Sequence, residues 1–209
     1  MNSISFRLYA VTDRGQLGGH ALADALAVLC GRGLRGVQLR EKDLDETALE
    51  ELALECRTVF SRYEVAWLVN GPAALAKRVG ATGVHLTASG DAVAARAAVG
   101  PDALVGQSAH GAAEAASAAR DGADFVVVGP VFATASKAPF GPPLGLAALA
   151  AACATAAPVP VFAIGAVTPD RVRACREAGA YGVAVQSALM RAAAPERVLA
   201  QYGDALGSL

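Results

Sequence analysis

Gln38, Arg40 and Lys42 stand at alternate positions and form the densest chemistry-bearing group in the chain. Alternate residues of a strand share one face, so an amide and two cations would converge at one place. That set of donors suits an oxygen-rich anion such as a phosphate or pyrophosphate. The other use for it is an internal ion-pair network with Asp13 or Glu41. Ligand binding is the favoured reading, because buried charge is costly unless paired. A second donor group, Thr134, Ser136 and Lys137, lies in the segment that leads from Gly129 into a Gly/Pro-rich loop ending at Gly145. A solvated loop would account for those letters equally well. Gly165 and the pair Gln186-Ser187 close two strand-like runs, where backbone N–H groups hold phosphate in many barrels. Structural turns explain the same residues. For proton transfer the candidates are His85 and His110, while His20 is expected to begin a helix at the surface. No Cys and His arrangement suggests a structural zinc, and there is no Walker-type loop and no basic, aromatic stripe for nucleic acid.

These groups need elements to hold them. Strand-like runs occur at Leu8–Thr12, Val37–Arg40, Ala66–Asn70, Val84–Thr87, Leu104–Ser108, Phe125–Val128, Val159–Ile164 and Val183–Gln186. Helix-like stretches such as Asp45–Arg62, Ala112–Arg120, Leu146–Ala156 and Pro169–Ala178 separate them. Strands alternating with helices imply a parallel sheet, and eight units predict a single-domain (β/α)8 TIM barrel across residues 1–209. A weak repeat supports closure: Gly33-Leu34-Arg35-Gly36-Val37-Gln38-Leu39-Arg40 matches Gly80-Ala81-Thr82-Gly83-Val84-His85-Leu86-Thr87, with looser copies from Gly122 and Gly179. These copies fall on strands two, four, six and eight. The repeat sets a register in which Gln38, His85, Val127 and Ala184 share one interior level. Arg40, Thr87, Gly129 and Gln186 form the next, at the carboxyl mouth where barrel enzymes place their sites. The competing architecture is an open doubly wound sheet. Gly31-x-Gly33-x-x-Gly36 fits a dinucleotide fingerprint by letter, but it follows a helix and precedes a strand, the reverse of the required order.

Composition removes other classes. Eighteen basic against nineteen acidic residues leave a net charge of −1, which argues against a polyanion-binding surface or an acidic tail. With 54% hydrophobic residues, disorder is excluded. The uncharged run Ala138–Pro169 is long enough to span a bilayer, yet Pro158 and Pro160 divide it into a buried helix and a buried strand. Residues Met1–Asp13 lack the pattern of a signal peptide. Cys30, Cys56, Cys153 and Cys175 have no Cys-x-x-Cys spacing and read as small apolar residues in a reducing cytoplasm.

Nearly the whole chain resembles the thiamine phosphate synthase and TenI superfamily. The matching segments are Leu8–Asp13, Val37-Gln38-Leu39-Arg40-Glu41-Lys42, Gly83-Val84-His85-Leu86, Gly106-Gln107-Ser108-Ala109-His110, Gly129-Pro130-Val131-Phe132 with Thr134, Ser136 and Lys137, and Ala163-Ile164-Gly165. A synthase of this kind joins an aminopyrimidine pyrophosphate to a thiazole phosphate and releases pyrophosphate with Mg²⁺. The resemblance implies that Gln38, Arg40, Lys42, Asn70, Ser108 and Lys137 surround the pyrimidine and pyrophosphate. Thr134, Ser136, Gly165, Gln186 and Ser187 would surround the thiazole phosphate. Two departures stand out: the synthase pattern has Asn-Asp where this chain has Asn70-Gly71, and its second acidic position reads Gly90, with Asp91 one residue late. Mg²⁺ prefers carboxylates and phosphate oxygens, so the losses weaken a metal site. Asn-Gly is similar to the TenI-type thiazole tautomerases, which move a proton on a thiazole carboxylate phosphate and need no metal. The tautomerase is therefore the first expectation, without cofactor, with His110, His85 and Lys137 as catalytic candidates and His110 ahead of His85. Pro130 stands where such a tautomerase can carry a histidine. The synthase with Mg²⁺ is the close alternative, followed by a ligand-binding regulator without catalysis and an unrelated sugar-phosphate barrel. The implied partners are small phosphorylated molecules rather than nucleic acid or membrane, and a homodimer is left open.

Overall fold

The computed structural model describes residues 2–134, 142–207 and 209. Ser136 and Lys137 lie outside the described residues. Eight strands, β1 (Leu8–Val11), β2 (Gly36–Leu39), β3 (Ala66–Val69), β4 (Gly83–Leu86), β5 (Leu104–Ala109), β6 (Phe125–Val128), β7 (Val161–Ala163) and β8 (Gly182–Val185), close into one parallel barrel. Closure is direct: β1 pairs with β2 on one side and with β8 on the other. The open doubly wound sheet is thereby excluded. Gly31 ends a helix and Gly36 begins β2, so the glycine fingerprint is a chance match, as its order implied.

The outer ring contains α1 (Leu22–Gly31), α2 (Glu46–Arg62), α3 (Ala73–Arg78), α4 (Ala92–Val99), α5 (Ala112–Arg120), α6 (Gly145–Ala156), α7 (Pro169–Glu177), a short α8 (Ser187–Met190) and α9 (Pro195–Leu206). His20 is exposed just ahead of α1. The four repeat copies begin at glycines with positive φ, Gly33, Gly80, Gly122 and Gly179, and in each the strand starts three residues later. A left-handed residue there ends the helix and turns the chain back into the sheet. The seventh strand is shorter than its apolar letters suggest. Pro158 and Pro160 offer no N–H to a ladder, so pairing begins only at Val161. The uncharged run thus becomes α6 and β7, and among the described residues no helix is long and apolar enough to cross a membrane. Cys30, Cys56 and Cys175 are buried and Cys153 is half-buried, all four as free thiols.

Two cores result. One lies between the sheet and the helices, filled by residues such as Leu26, Leu39, Val69, Val84, Val126 and Val183. The other fills the lower barrel with Phe6, Tyr9, Phe125 and Phe162, whose ring centroids are 5.2–6.1 Å apart. Aromatic rings at such separations pack edge-on or offset and leave no channel. The amino-terminal residues seal the bottom: the backbone N–H of Asn2 donates to Asp124 over 2.8 Å, and its amide donates to the Ala103 carbonyl over 3.0 Å. Everything above this plug is free to be polar.

Candidate active site

A cavity of about 500 Å³ opens at the carboxyl ends of the strands. All eight residues of the two expected layers line it: Gln38, His85, Val127 and Ala184 below, Arg40, Thr87, Gly129 and Gln186 above. Lys42, Asn70, Ser108, His110, Thr134, Gly165 and Ser187 complete the set of described site residues expected from the sequence. Ser136 and Lys137, which belong to the same expectation, fall in the undescribed stretch.

The cationic side is built by the β1 and β2 exits. Thr12 donates its hydroxyl to Glu41 over 2.6 Å and accepts the Arg40 N–H over 2.9 Å, which fixes the backbone where β2 ends. The other Glu41 oxygen accepts the Arg14 N–H at 2.9 Å. Glu41 is thus spent on backbone and hydroxyl partners, and burial raises its pKa. Half-burial lowers the Arg40 pKa, with Asp13 and Glu41 opposing the effect electrostatically. Among the described residues, however, no carboxylate lies within ion-pair distance of Arg40. The internal network therefore neutralises the site only at a distance, and the guanidinium stays directed to the cavity it lines.

At the β7 and β8 exits the cavity is lined by Gly165, Ala166, Ser187 and Ala188, among others. Gly165 has φ +104, and a Cβ there would sit 2.5 Å from the Pro130 Cα, so only glycine fits. Ala166 follows at φ +47. Its carbonyl accepts the Arg171 guanidinium over 2.8 Å, and Arg171 lies 4.6 Å over the Phe132 ring. Phe132 N–H in turn donates to the Gly165 carbonyl over 3.1 Å. Among the described residues no acceptor is recorded for the N–H groups of Gly165, Ala166, Ser187 or Ala188. Such unpaired donors at a cavity wall suit a phosphate. Gln186 donates to the Thr12 carbonyl at 3.3 Å and to Asp13 at 3.4 Å, tying β8 to β1. Ala166 was not expected from the sequence, because nothing about an alanine announces a left-handed backbone. The preceding glycine was the only signal.

The floor is a buried polar chain. His85 Nδ1 lies 3.4 Å from the Tyr9 hydroxyl, and His85 Nε2 lies 3.1 Å from Ser108 Oγ. Asn70 donates to the His85 carbonyl over 3.1 Å. Burial, and then the nearby Arg40, push the His85 imidazole down to about 3. It is neutral at pH 7. His110 is exposed at the rim, with Nδ1 3.1 Å from Glu114. Tyr9 was missed by sequence reasoning, since a tyrosine inside an apolar strand reads as packing.

Mg²⁺ requires hard oxygen ligands, commonly carboxylates. No Asp or Glu is among its described lining residues, and the undescribed 135–141 stretch contains none in sequence. At Gly90 a Cβ would lie 2.7 Å from Leu86 Cβ, so the backbone leaves no place for a side chain. Asp91 instead caps α4, accepting the Ala94 N–H over 2.9 Å. Asp91 therefore does not replace the missing ligand. A Cβ on Gly71 would face Leu49, Val69 and Leu75 at 3.5–3.9 Å, in the helix layer. The described residues do not fit a carboxylate-held metal.

Comparison with known proteins places this cavity in a lineage. The model of the thiamine monophosphate synthase family matches residues 8–189. The chain belongs to the thiamine monophosphate synthase family. Within it, a thiamine-phosphate synthase of Salinispora arenicola is 40% identical over 203 residues, covering 96% of this chain and 97% of the relative. A thiamine-phosphate synthase of Chloroflexus aurantiacus is 38% identical, covering 90% and 87%. A solved thiamine phosphate pyrophosphorylase from Pyrococcus furiosus superposes with a TM-score of 0.85 at 25% identity, covering 96% and 95%. Membership in the family sets the chain in thiamine biosynthesis. The names of these relatives favour the synthase, the alternative to the tautomerase expected first.

Proposed function

We propose that this protein is a thiamine-phosphate synthase, joining an aminopyrimidine pyrophosphate to a thiazole phosphate. The observation that carries this reading is the presence of two separate anion-suited sectors on one cavity. Gln38, Arg40 and Lys42 form one at β2, and the backbone of Gly165, Ala166, Ser187 and Ala188 forms the other at β7 and β8. A tautomerase holds one phosphate and one carboxylate on a single ring, whereas a reaction between two phosphorylated substrates needs two sectors suited to phosphate and set a substrate apart. In the reaction the bond from the pyrimidine methylene to pyrophosphate oxygen breaks, and the thiazole nitrogen forms the new C–N bond. The leaving oxygen takes the electron pair. Arg40 and Lys42 stabilise the negative charge that gathers there, which is where a fixed cation is most effective. Asn70 and Ser108 orient the pyrimidine at the floor, and the β7 and β8 turns hold the thiazole phosphate so that its nitrogen faces the methylene. Thr134 joins the rim beside them. Ser136 and Lys137 enter this proposal through sequence resemblance alone. Small-molecule substrates are the only partners it requires.

A second reading, the tautomerase, draws on the carboxylate-free lining, because isomerisation needs no metal. Its weakness is the proton carrier. His85 is neutral and engaged at both nitrogens, which leaves His110 as the one described imidazole at the rim. Calorimetry distinguishes the two readings. The synthase reading expects pyrophosphate and thiazole phosphate to bind together, and the dephosphorylated thiazole alcohol to bind much more weakly. Mutually exclusive binding would count against it.

A further inference from the structure

The polar floor of the cavity has a direction. Tyr9 is fully buried, and among the described residues its hydroxyl proton has one recorded acceptor, His85 Nδ1 at 3.4 Å. Burial raises the Tyr9 pKa well above its usual value, with the Gln38 side chain opposing the rise, so the phenol keeps its proton. A buried hydroxyl without an acceptor is costly, so its proton is drawn to the imidazole. A neutral imidazole has one acceptor nitrogen. When Tyr9 occupies it, the proton of the ring sits on Nε2 and points at Ser108, 3.1 Å away. Ser108 is half-buried and faces the cavity, so its own proton has somewhere else to go.

We propose that His85 is a positioning residue: held by Tyr9 as the neutral Nε2–H tautomer, it donates to Ser108 and turns the Ser108 hydroxyl proton into the cavity. The floor then selects a hydrogen-bond acceptor on the ligand, either an unprotonated ring nitrogen or a phosphate oxygen. An amino group at that point would meet a donor. Successive bonds in one direction polarise one another, so Tyr9, His85 and Ser108 act as a single oriented chain. The ligand half of this proposal rests on the synthase reading; the tautomer does not.

The tautomer is read from the ¹⁵N spectrum of the imidazole in the whole protein. The expected result is an unprotonated Nδ1 and a protonated Nε2 for His85, unchanged between pH 5 and pH 8. A protonated Nδ1, or an imidazolium appearing in that range, overturns the proposal. Tyr9→Phe should release the tautomer into a mixture, and retention of pure Nε2–H in that variant would also contradict it. For the ligand half, Ser108→Ala is titrated with pyrophosphate and, separately, with the unphosphorylated aminopyrimidine alcohol. Loss of about threefold to tenfold in affinity for one of the two identifies the acceptor as phosphate oxygen or ring nitrogen. Equal affinities for both, in wild type and variant, remove the selection while leaving the tautomer result standing on its own.

Discussion

Arg40 is one of the two cations of the β2 sector, and its contribution is separable from that of the β7 and β8 turns. Arg40→Gln should lower pyrophosphate affinity about 10- to 100-fold, as expected for loss of a charged hydrogen bond, while thiazole phosphate affinity stays within threefold. Paired titrations check this. His85 supplies a stability signature. Its folded pKa of about 3 lies below the 6.5 of an ordinary histidine, so the unfolded chain binds a proton that the folded protein refuses between those values. Stability should therefore fall as pH drops from 6.5 toward 3, and His85→Gln should flatten that part of a melting profile. An unchanged profile would show that the imidazole is not held neutral. Gln38, Arg40 and Lys42 were legible in the sequence because alternation is a property of the letters. Tyr9 was not, because its role depends on a partner 76 residues away that only closure of the barrel brings near.

At the scale of elements, the β7 turn is specified by Gly165. Gly165→Ala places a Cβ 2.5 Å from Pro130 Cα at positive φ, a conformation costing an L-residue about 1–2 kcal/mol before the clash is counted. The expected outcome is a lower melting temperature with weakened thiazole phosphate binding and near-normal pyrophosphate binding. The β4–α4 connection shows the opposite allocation. Asp91→Ala should cost about 1 kcal/mol by loss of the α4 cap, without any change in response to Mg²⁺. Denaturation with and without Mg²⁺ separates a cap from a ligand. The end of the seventh strand at Gly165 is legible in the sequence, as are the helix ends at Gly33, Gly80, Gly122 and Gly179 from the repeat, whereas the sequence reading names no helix at Ala92–Val99. What the letters concealed was the use of Asp91: one position off the family pattern looks like a displaced ligand until α4 is seen to begin there.

For the whole molecule, the even-strand repeat carried the barrel because alternate strands feed the same interior layers. The choice of reaction did not follow, since it turns on side chains that Gly71 and Gly90 lack. The carboxylate-free cavity predicts that Mg²⁺ titrated into the protein alone gives no saturable heat; saturation would reveal a site that the described residues do not contain. The central claim is that one cavity brings two phosphorylated rings together. Its most direct test is ³¹P NMR of the protein with the aminopyrimidine pyrophosphate and the thiazole phosphate, added singly and together, alongside the thiazole carboxylate phosphate. Thiamine phosphate and free pyrophosphate should appear in equal amounts, and only when both synthase substrates are present. Isomerisation of the carboxylate with no pyrophosphate released from the pair would contradict it.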